Sequence, residues 1–233
     1  MLRLNHITFA CADPARVAEF WTELLDDGGG DGPELLFSKR PKSPTIELPI
    51  HLDVNVPDRE AELQRVLELG GKLVETKSHA IGELSETWTV MRDPEGNGFC
   101  IQSPPNTQER YVGNVTFSCA DPVALGRFWA AALGWSDEPI DEGFLQTLLA
   151  AGMDERELGS FYATRETPTS RPRLLFQRRE KSRPASYPIQ LDLRADDREA
   201  EVERLAGLGA TVDETKSGGT VMRDPESNPF GIE

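Results

Sequence analysis

Two histidines stand at strand positions from which their side chains could bind a ligand or a metal. His6 lies in the segment NHITFAC and His51 in IHLDVNV, and in both segments apolar and polar residues alternate. This alternation predicts strands with one apolar and one polar face. Both histidines fall on the polar face, together with Thr8 and Asp53. Imidazole and carboxylate groups can hydrogen-bond a ligand or coordinate a divalent metal, so these residues are candidates for a ligand cavity.

The three cysteines differ in their predicted surroundings, and their odd number and wide spacing predict no disulfide framework. Cys11 and Cys119 stand at equivalent positions on apolar strand faces and are predicted to be small core residues. Cys100 lies between Phe99 and Ile101, whose side chains would face the core, so its thiol would face the opposite side of the strand. A nucleophilic thiol there would need a low pKa and a nearby base, which either strand histidine could supply.

The chain contains two copies of one sequence pattern. The matching pairs are TFACADP at 8–14 with TFSCADP at 116–122, HLDVNVPDREAE at 51–62 with QLDLRADDREAE at 190–201, and TVMRDPEGNGF at 89–99 with TVMRDPESNPF at 220–230. Three matches in the same order indicate an internal duplication. We predict two domains, residues 1–108 and 109–233, joined near the polar segment SPPNTQER.

Each copy has the order strand, helix, strands, and then the same order again, which predicts two βαβββ units. The Asp-Pro pairs that follow the first strand of each copy predict a helix N-cap and first helical residue. Apolar residues then recur at helical spacing, and Trp21 and Trp129 within them are predicted to be core residues. The second helix of each copy begins in the charged segment DREAE.

The two copies differ in length. The offset between matching segments rises from 108 to 139 residues, so the first unit of the second copy is 31 residues longer. Its segments GFLQTLLAAG (143–152) and GSFYATRE (159–166) are predicted to hold about two strands that the first copy lacks. The first copy has eight residues of its own, HAIGELSE at 79–86, where His79 is predicted to be a solvated loop residue.

Composition argues against several classes of function. The 233 residues include 25 Lys and Arg against 40 Asp and Glu, giving a net charge of −15. Such a protein repels phosphate backbones and anionic membranes, so we expect neither nucleic-acid nor membrane binding. A cationic ligand would suit this charge, although much of it lies on solvated helices. The absence of a membrane-length apolar stretch, a signal peptide and a disulfide framework predicts a cytoplasmic protein.

The sequence resembles the vicinal oxygen chelate superfamily, which includes glyoxalase I, bleomycin-resistance proteins and extradiol dioxygenases. The segments that carry the resemblance are DPARVAEFW, HLDVNVPDREAELQRVLELGG and WTVMRDPEGNGFCIQ, with counterparts in the second half. The resemblance implies an α+β fold in which tandem βαβββ modules form two glyoxalase-like domains, with curved mixed sheets around a cavity. It also implies that active members hold a divalent metal through His, Glu or Gln side chains.

The resemblance assigns four metal-ligand positions to each domain. They are His6, His51, Cys100 and a residue near Ser38 in the first domain, and Asn114, Gln190, Gly231 and a residue near Gln177 in the second. The family's carboxylate is missing from both sets. A divalent metal (Zn, Fe, Ni or Mn) held by His6 and His51 with an unidentified third ligand remains an alternative for the first domain. The neutral amides of the second domain are too weak to hold a metal alone.

The exchange of His for Asn or Gln between the copies keeps hydrogen-bonding capacity and discards metal affinity. It therefore favours a polar cavity over a metal centre. Asp53 and Asp192 are predicted to have a structural role, paired with an arginine or capping a turn. Trp88 either lines the first cavity or packs beneath it.

We therefore predict a small-molecule-binding protein of this superfamily without a complete catalytic metal site, akin to its drug-sequestering members. The ligand-cavity candidates are His6, Thr8, His51, Asp53, Trp88, Cys100, Asn114, Gln177, Gln190 and Asp192. Two alternatives stay open: a metal-dependent lyase or dioxygenase using His6 and His51, and a non-catalytic interaction module. The predicted association is a homodimer or an internal pseudo-dimer.

Overall fold

The computed structural model describes residues 2–25, 32–40, 49–81, 84–138, 146, 148–150, 158–179 and 187–233. The main elements of these residues, in chain order, are β1 Leu2–Cys11, α1 Pro14–Leu24, β2 Glu34–Lys39, β3 Ile50–Asn55, α2 Arg59–Glu68, β4 Lys72–Ile81, β5 Leu84–Arg92, β6 Gly98–Gln102, β7 Tyr111–Cys119, α3 Pro122–Leu133, β8 Ser136–Asp137, β9 Phe161–Arg165, β10 Arg173–Arg178, β11 Ile189–Ala195, α4 Arg198–Gly207, β12 Thr211–Lys216, β13 Gly219–Arg223 and β14 Pro229–Ile232. Within the described part of the chain, no helix has the length and apolar character needed to cross a membrane.

The strands form two open mixed sheets, and each sheet takes one unit from each half of the chain. The eight-stranded sheet has the order β4-β5-β6-β3-β7-β10-β9-β8, and the six-stranded sheet has the order β12-β13-β14-β11-β1-β2. The halves meet at the antiparallel pairs β3–β7, where Asp53 lies opposite Asn114, and β1–β11, where His6 lies opposite Asp192. The predicted α+β class is confirmed, while the domain boundary at residue 108 stays a prediction.

The unequal copies give unequal sheets. Among the described residues, the first unit of the first copy supplies β1 and β2, whereas that of the second copy supplies β7 to β10. The strand predicted in 159–166 is β9. The strand predicted in 143–152 is not found, because the described residues there, 146 and 148–150, are helical. The short strand β8, directly after α3, is the fourth strand of this unit.

The prediction that His79 lies in a loop is wrong. His79 belongs to β4, and its Cα lies opposite that of Glu86 on β5. The additional residues of the first copy therefore lengthen the β4–β5 hairpin at one edge of the eight-stranded sheet. In the second copy, a two-residue turn at 217–218 joins β12 to β13.

Two tryptophans connect the sheets through the core. Trp21 on α1 packs its ring with the centroid 5.1 Å from that of Phe99, which belongs to β6 of the eight-stranded sheet. Trp129 on α3 lies 5.2 Å from Phe230, which belongs to β14 of the six-stranded sheet. Both indole rings are almost completely buried, as predicted from their helical spacing. Each helix thus covers its own sheet and also contacts the other.

The DPEGN and DPESN turns make a second connection between the sheets. The Glu95 carboxylate accepts hydrogen bonds from the backbone N–H groups of Ala12 and Asp13, at the start of α1. Glu226 does the same at the start of α3. These glutamates satisfy backbone donors next to the helix N-termini, where negative charge is favourable. The turns therefore set the position of both helices.

Asp224 holds the second of these turns together. Its carboxylate accepts hydrogen bonds from the backbone of Glu226 and Asn228, from the Asn228 side chain and from Trp129 Nε1. Burial raises the pKa of Asp224 to about 6, although these hydrogen bonds oppose the shift. The native state therefore retains this proton at pH values where the unfolded chain has released it.

This raised pKa predicts a pH-dependent loss of stability. The protonated Asp224 carboxyl contributes up to about 3 kcal/mol to the free energy of unfolding. This contribution is complete below about pH 4 and is lost as the pH rises through about 6. Relative to Asp224→Asn, which cannot ionise, the free energy of unfolding of the natural protein should fall between pH 4 and pH 7. Urea unfolding at each pH measures this difference. Asp197→Asn, which keeps an oxygen at the exposed N-cap of α4, is the control. A difference that does not vary with pH would contradict the prediction.

Candidate functional site

A polar cluster lies at the centre of the eight-stranded sheet, where strands from both halves meet. His51 and Asp53 are two residues apart on β3 and share one face. On one side, the parallel strand β6 places Cys100 opposite Asp53. On the other side, the antiparallel strand β7 places Asn114 opposite Asp53 and Thr116 opposite His51. The other faces of these strands are filled by core residues, so the polar side chains are gathered on one surface.

Asp53 is the hydrogen-bonding centre of this cluster. Its Oδ2 accepts hydrogen bonds from Asn114 Nδ2 (2.8 Å) and Thr116 Oγ1 (2.7 Å). Its Oδ1 lies 3.3 Å from His51 Nε2. Burial raises the pKa of Asp53, but the nearby His51 and the hydrogen bonds outweigh burial and hold the pKa below its ordinary value. The buried carboxylate is therefore ionised at neutral pH, and its partners are these side chains rather than the arginine or turn expected from sequence.

The Cys100 thiol is protonated in this environment. Burial, followed by the charge and hydrogen bonding of Asp53, raises its pKa well above the ordinary value. A nucleophilic cysteine requires the opposite shift. The arrangement therefore argues against the nucleophilic role considered from the sequence, and a metal could bind this sulfur only if the thiol lost its proton.

A pocket of about 740 Å³ lies against this cluster. Six of the predicted cavity residues line it: His51, Asp53, Trp88, Cys100, Asn114 and Gln177. Trp88 lies half-buried on β5 and is part of the pocket lining. A smaller pocket of about 270 Å³ adjoins it and shares His51, Trp88 and Cys100. The eight-stranded sheet thus combines an aromatic wall with several polar groups on one surface.

The remaining predicted cavity residues lie in the six-stranded sheet, where Thr8, Gln190 and Asp192 are hydrogen-bonded together and His6 is not part of that group. Asp192 accepts hydrogen bonds from Gln190 Nε2 (2.6 Å) and from Thr8. His6 Nε2 lies 3.6 Å from a Glu34 carboxylate oxygen. A Cβ atom at Gly231, the counterpart of Cys100, would come within 2.3 Å of Asp192 Oδ1. The Asp192 side chain therefore occupies the space that Cys100 fills in the other sheet.

The structure does not bring His6 and His51 together. His6 lies on β1 of the six-stranded sheet, and His51 lies on β3 of the eight-stranded sheet. The four metal-ligand positions that the resemblance assigned to each domain are likewise divided between the two sheets. His51 and Cys100 of the first copy share a surface with Asn114 and Gln177 of the second copy. The physical reason is that each sheet pairs one unit from each half.

Comparison with known proteins agrees with this architecture. The family model described as "Glyoxalase-like domain" matches residues 6–102 and 114–232, which is most of the chain. The chain belongs to this family. The glyoxalase-like fold is also seen in solved structures. Glyoxalase I from Zea mays has a TM-score of 0.67 at 15% identity, covering 100% of this chain and 92% of that chain. A putative dioxygenase from Bacillus subtilis has a TM-score of 0.62 at 14% identity, covering 98% of this chain and 84% of that one. No curated protein matches at a significant level.

Four arginines that line the larger pocket were not among the predicted site residues. Arg165, Arg171, Arg173 and Arg178 all come from the second copy and line the pocket. The repeat contains a signal that could have identified one of them, since Arg173 of RLLFQR stands where the first copy has Glu34 of ELLFSK. The other sheet thus has an acidic residue at the same position. These arginines make the pocket wall basic, although the protein as a whole is acidic.

His51, Asp53 and Cys100 form a group that could hold a metal ion. One ligand atom from each residue lies within 4.8 Å of the other two, and all three residues belong to the first copy. Two ligands of one zinc ion, each bonded at about 2.0–2.2 Å, are separated by no more than about 4.4 Å, and the His51–Asp53 distance of 3.3 Å meets this limit. Imidazole, carboxylate and thiolate form a donor set suited to zinc. Of the positions that the resemblance assigned to the first domain, His51 and Cys100 belong to this group, and Asp53 stands beside them in place of His6.

The protonated Cys100 thiol should react slowly with alkylating reagents. We expect Cys100 in the folded protein to be modified by iodoacetamide at pH 8 at least about tenfold more slowly than glutathione, because little thiolate is present. Mass spectrometry of the peptide containing Cys100 after timed exposure measures this rate. Modification in urea provides the unfolded control. Alkylation of folded Cys100 as fast as glutathione would contradict the assigned protonation state.

Proposed function

We propose that this glyoxalase-like protein binds one small organic molecule per chain in the pocket of its eight-stranded sheet. The observation that carries the proposal is the convergence of His51, Asp53 and Asn114 beneath an aromatic wall formed by Trp88. Binding sites are typically concave, with a few directed polar groups and apolar or aromatic walls. Hydrogen bonds within the cluster orient its polar groups before a ligand arrives, which reduces the entropic cost of binding.

One site per chain follows from the differences between the two sheets. Glycines at 219 and 231 occupy the positions equivalent to Trp88 and Cys100, so the six-stranded sheet lacks the aromatic wall and the thiol. The first unit of that sheet also contributes fewer described strands. These differences favour a single ligand in the eight-stranded sheet.

Removal of the aromatic wall should weaken ligand binding without unfolding the protein. A thermal-shift screen of aromatic and aliphatic acids, amines and neutral molecules should find compounds that stabilise the natural protein. Calorimetry should then give one molecule per chain. The variant Trp88→Ala should lose about tenfold in affinity, because the contact of ligand with the half-buried indole is lost.

The control for this experiment is Arg194→Gln, at an exposed position on β11 of the six-stranded sheet. It should leave the affinity unchanged. Failure of every compound to stabilise the natural protein would contradict the proposed binding function. Equal affinity in Trp88→Ala would contradict the position of the site.

A metal-dependent enzyme is the second candidate, supported by the His51, Asp53 and Cys100 group. A bound divalent ion would supply Lewis acidity to a substrate oxygen. The protein's own residues would hold the ion and exclude bulk water from part of its surroundings. Asn114 and Thr116 would orient the Asp53 carboxylate through the hydrogen bonds already formed, as second-layer partners do in other metal sites.

Cobalt binding tests the metal site independently of any activity. We expect one equivalent of Co²⁺ to produce a thiolate-to-cobalt charge-transfer absorption in chelator-treated protein. His51→Gln and Cys100→Gly, which introduce the residues found at the matching positions of the second copy, should each remove this absorption. Cys119→Ala should retain it, because Cys119 lies outside the cluster. A titration without charge-transfer absorption would exclude a thiolate-ligated cobalt site.

A further inference from the structure

The wall of the pocket contains two guanidinium groups that share one carboxylate. Arg165 and Arg173 each approach a different oxygen of Glu138 at 3.3 Å. Charge-assisted hydrogen bonds between such groups are usually about 2.7–2.9 Å long, so both contacts are loose. Two positive charges meet one negative charge here, and all three side chains are about one quarter to one third exposed. The triad lacks one anion for charge balance.

The other contacts of these arginines use neutral acceptors. Arg173 Nε donates to Asn114 Oδ1 at 2.6 Å, and Arg165 Nη1 donates to the carbonyl oxygen of Pro168 at 2.9 Å. Arg165 Nε is a buried donor without an acceptor among the described residues. Donor capacity therefore exceeds acceptor capacity in this wall. An incoming carboxylate could accept from both guanidinium groups, which already converge on Glu138.

The acidic groups of the pocket do not remove this excess. The Asp53 carboxylate already accepts hydrogen bonds from Asn114 and Thr116. Glu86 lies exposed on the β4–β5 hairpin. Arg171 is already paired with Glu109 at 2.6 Å and lies over the ring of Tyr111. Arg178 adds a further guanidinium to the lining. The local balance differs from the net charge of −15, which suggested a cationic ligand.

Aromatic surface lies in the same pocket. Trp88 and Phe161 both line it, and Phe161 is 49% exposed although it is a large apolar side chain. An exposed phenyl ring in a concave surface gains free energy when a ligand covers it. The pocket therefore offers an anion-binding wall together with apolar surface for a ring.

We propose that this pocket binds a planar organic anion, with its acidic group between Arg165 and Arg173 and its ring against Trp88 and Phe161. This inference rests on the proposed binding function and specifies its ligand class. The same position in the six-stranded sheet carries Glu34 in place of Arg173. The preference for an anion is thus specific to the eight-stranded sheet.

Three probes of similar shape and different charge test this proposal: 2-naphthoate, 2-naphthamide and 2-naphthylmethylamine. Calorimetry with the full chain should show the carboxylate binding at least about tenfold more tightly than the amide, and the amine binding most weakly. The affinity for the carboxylate should decrease as salt is added, because the contact is electrostatic. The affinity for the amide should change little.

Arginine variants locate the anion contact. Arg173→Gln should weaken 2-naphthoate binding by about tenfold or more, with little effect on 2-naphthamide. Arg165→Gln is a second variant, which keeps the test valid if Arg173→Gln perturbs the Asn114 contact and the fold. Arg194→Gln, outside the pocket, should have no effect on either probe.

The possible failures are distinguishable. Equal affinities for the three probes, or an equal effect of both pocket variants on acid and amide, would overturn the anion inference and leave the binding function intact. Binding of compounds from the wider screen without preference for acids would do the same. If no compound of any charge binds, the proposed function itself fails.

Discussion

The packing of Trp21 and Trp129 between the sheets is the interaction on which the remaining structure depends. Each indole is supplied by a helix of one sheet and contacts a phenylalanine of the other sheet. The edge and tilted arrangements of these rings are favourable aromatic geometries, and the complete burial of both indoles contributes the largest apolar contacts of the core. The glutamates of the two DPE turns add hydrogen bonds at the starts of the same helices. Together they hold four βαβββ-type units in one arrangement.

This arrangement gives the polar cluster its composition. The β3–β7 junction joins the halves of the chain at Asp53 and Asn114, so the site contains residues that are distant in sequence. A buried carboxylate requires compensating donors, and here the two copies supply them jointly. In the six-stranded sheet the two copies again supply the donors jointly, since Thr8, the counterpart of Thr116, and Gln190, the counterpart of His51, donate to Asp192. Gly231 leaves space there for the Asp192 side chain. Divergence of the copies has thus left two unlike sites in one duplicated fold.

The distribution of charge shows how global composition and local structure can differ. The acidic residues are in excess over the whole chain, and several lie at the exposed first turns of α2 and α4. The pocket wall, by contrast, gathers arginines from β9, β10 and the segment between them. Electrostatic interactions at a binding site depend on groups within about 10 Å at ordinary salt, so the pocket responds mainly to its own lining. Net charge is therefore a poor guide to the charge of this pocket.

Much of the local structure could be predicted from the sequence. Alternation identified the buried faces of β1 and β3, helical spacing identified the tryptophans, and the repeat identified the unequal first units. Two predictions failed in segments that lack a matching copy, at His79 and at 143–152, because no second sequence was there to define the element. The unmatched segment 159–166 was predicted correctly, since it contains β9. The basic pocket wall was missed because its arginines, all within residues 165–178, share a pocket with His51 and Asp53 of the other half of the chain only after β3 pairs with β7.

The sequence by itself determined the family, the duplicated α+β elements and which side chains lie on polar strand faces, since these follow from patterns with periods of two to four residues. Only the tertiary structure decided which polar faces belong together. It separated His6 from His51 and joined His51, Asp53 and Cys100 to Asn114 and Gln177. The physical reason is that the pairing of β-units depends on contacts between residues far apart in the chain. These contacts are the burial of the two tryptophans and the hydrogen bonds between β3 and β7, and no local sequence pattern predicts them.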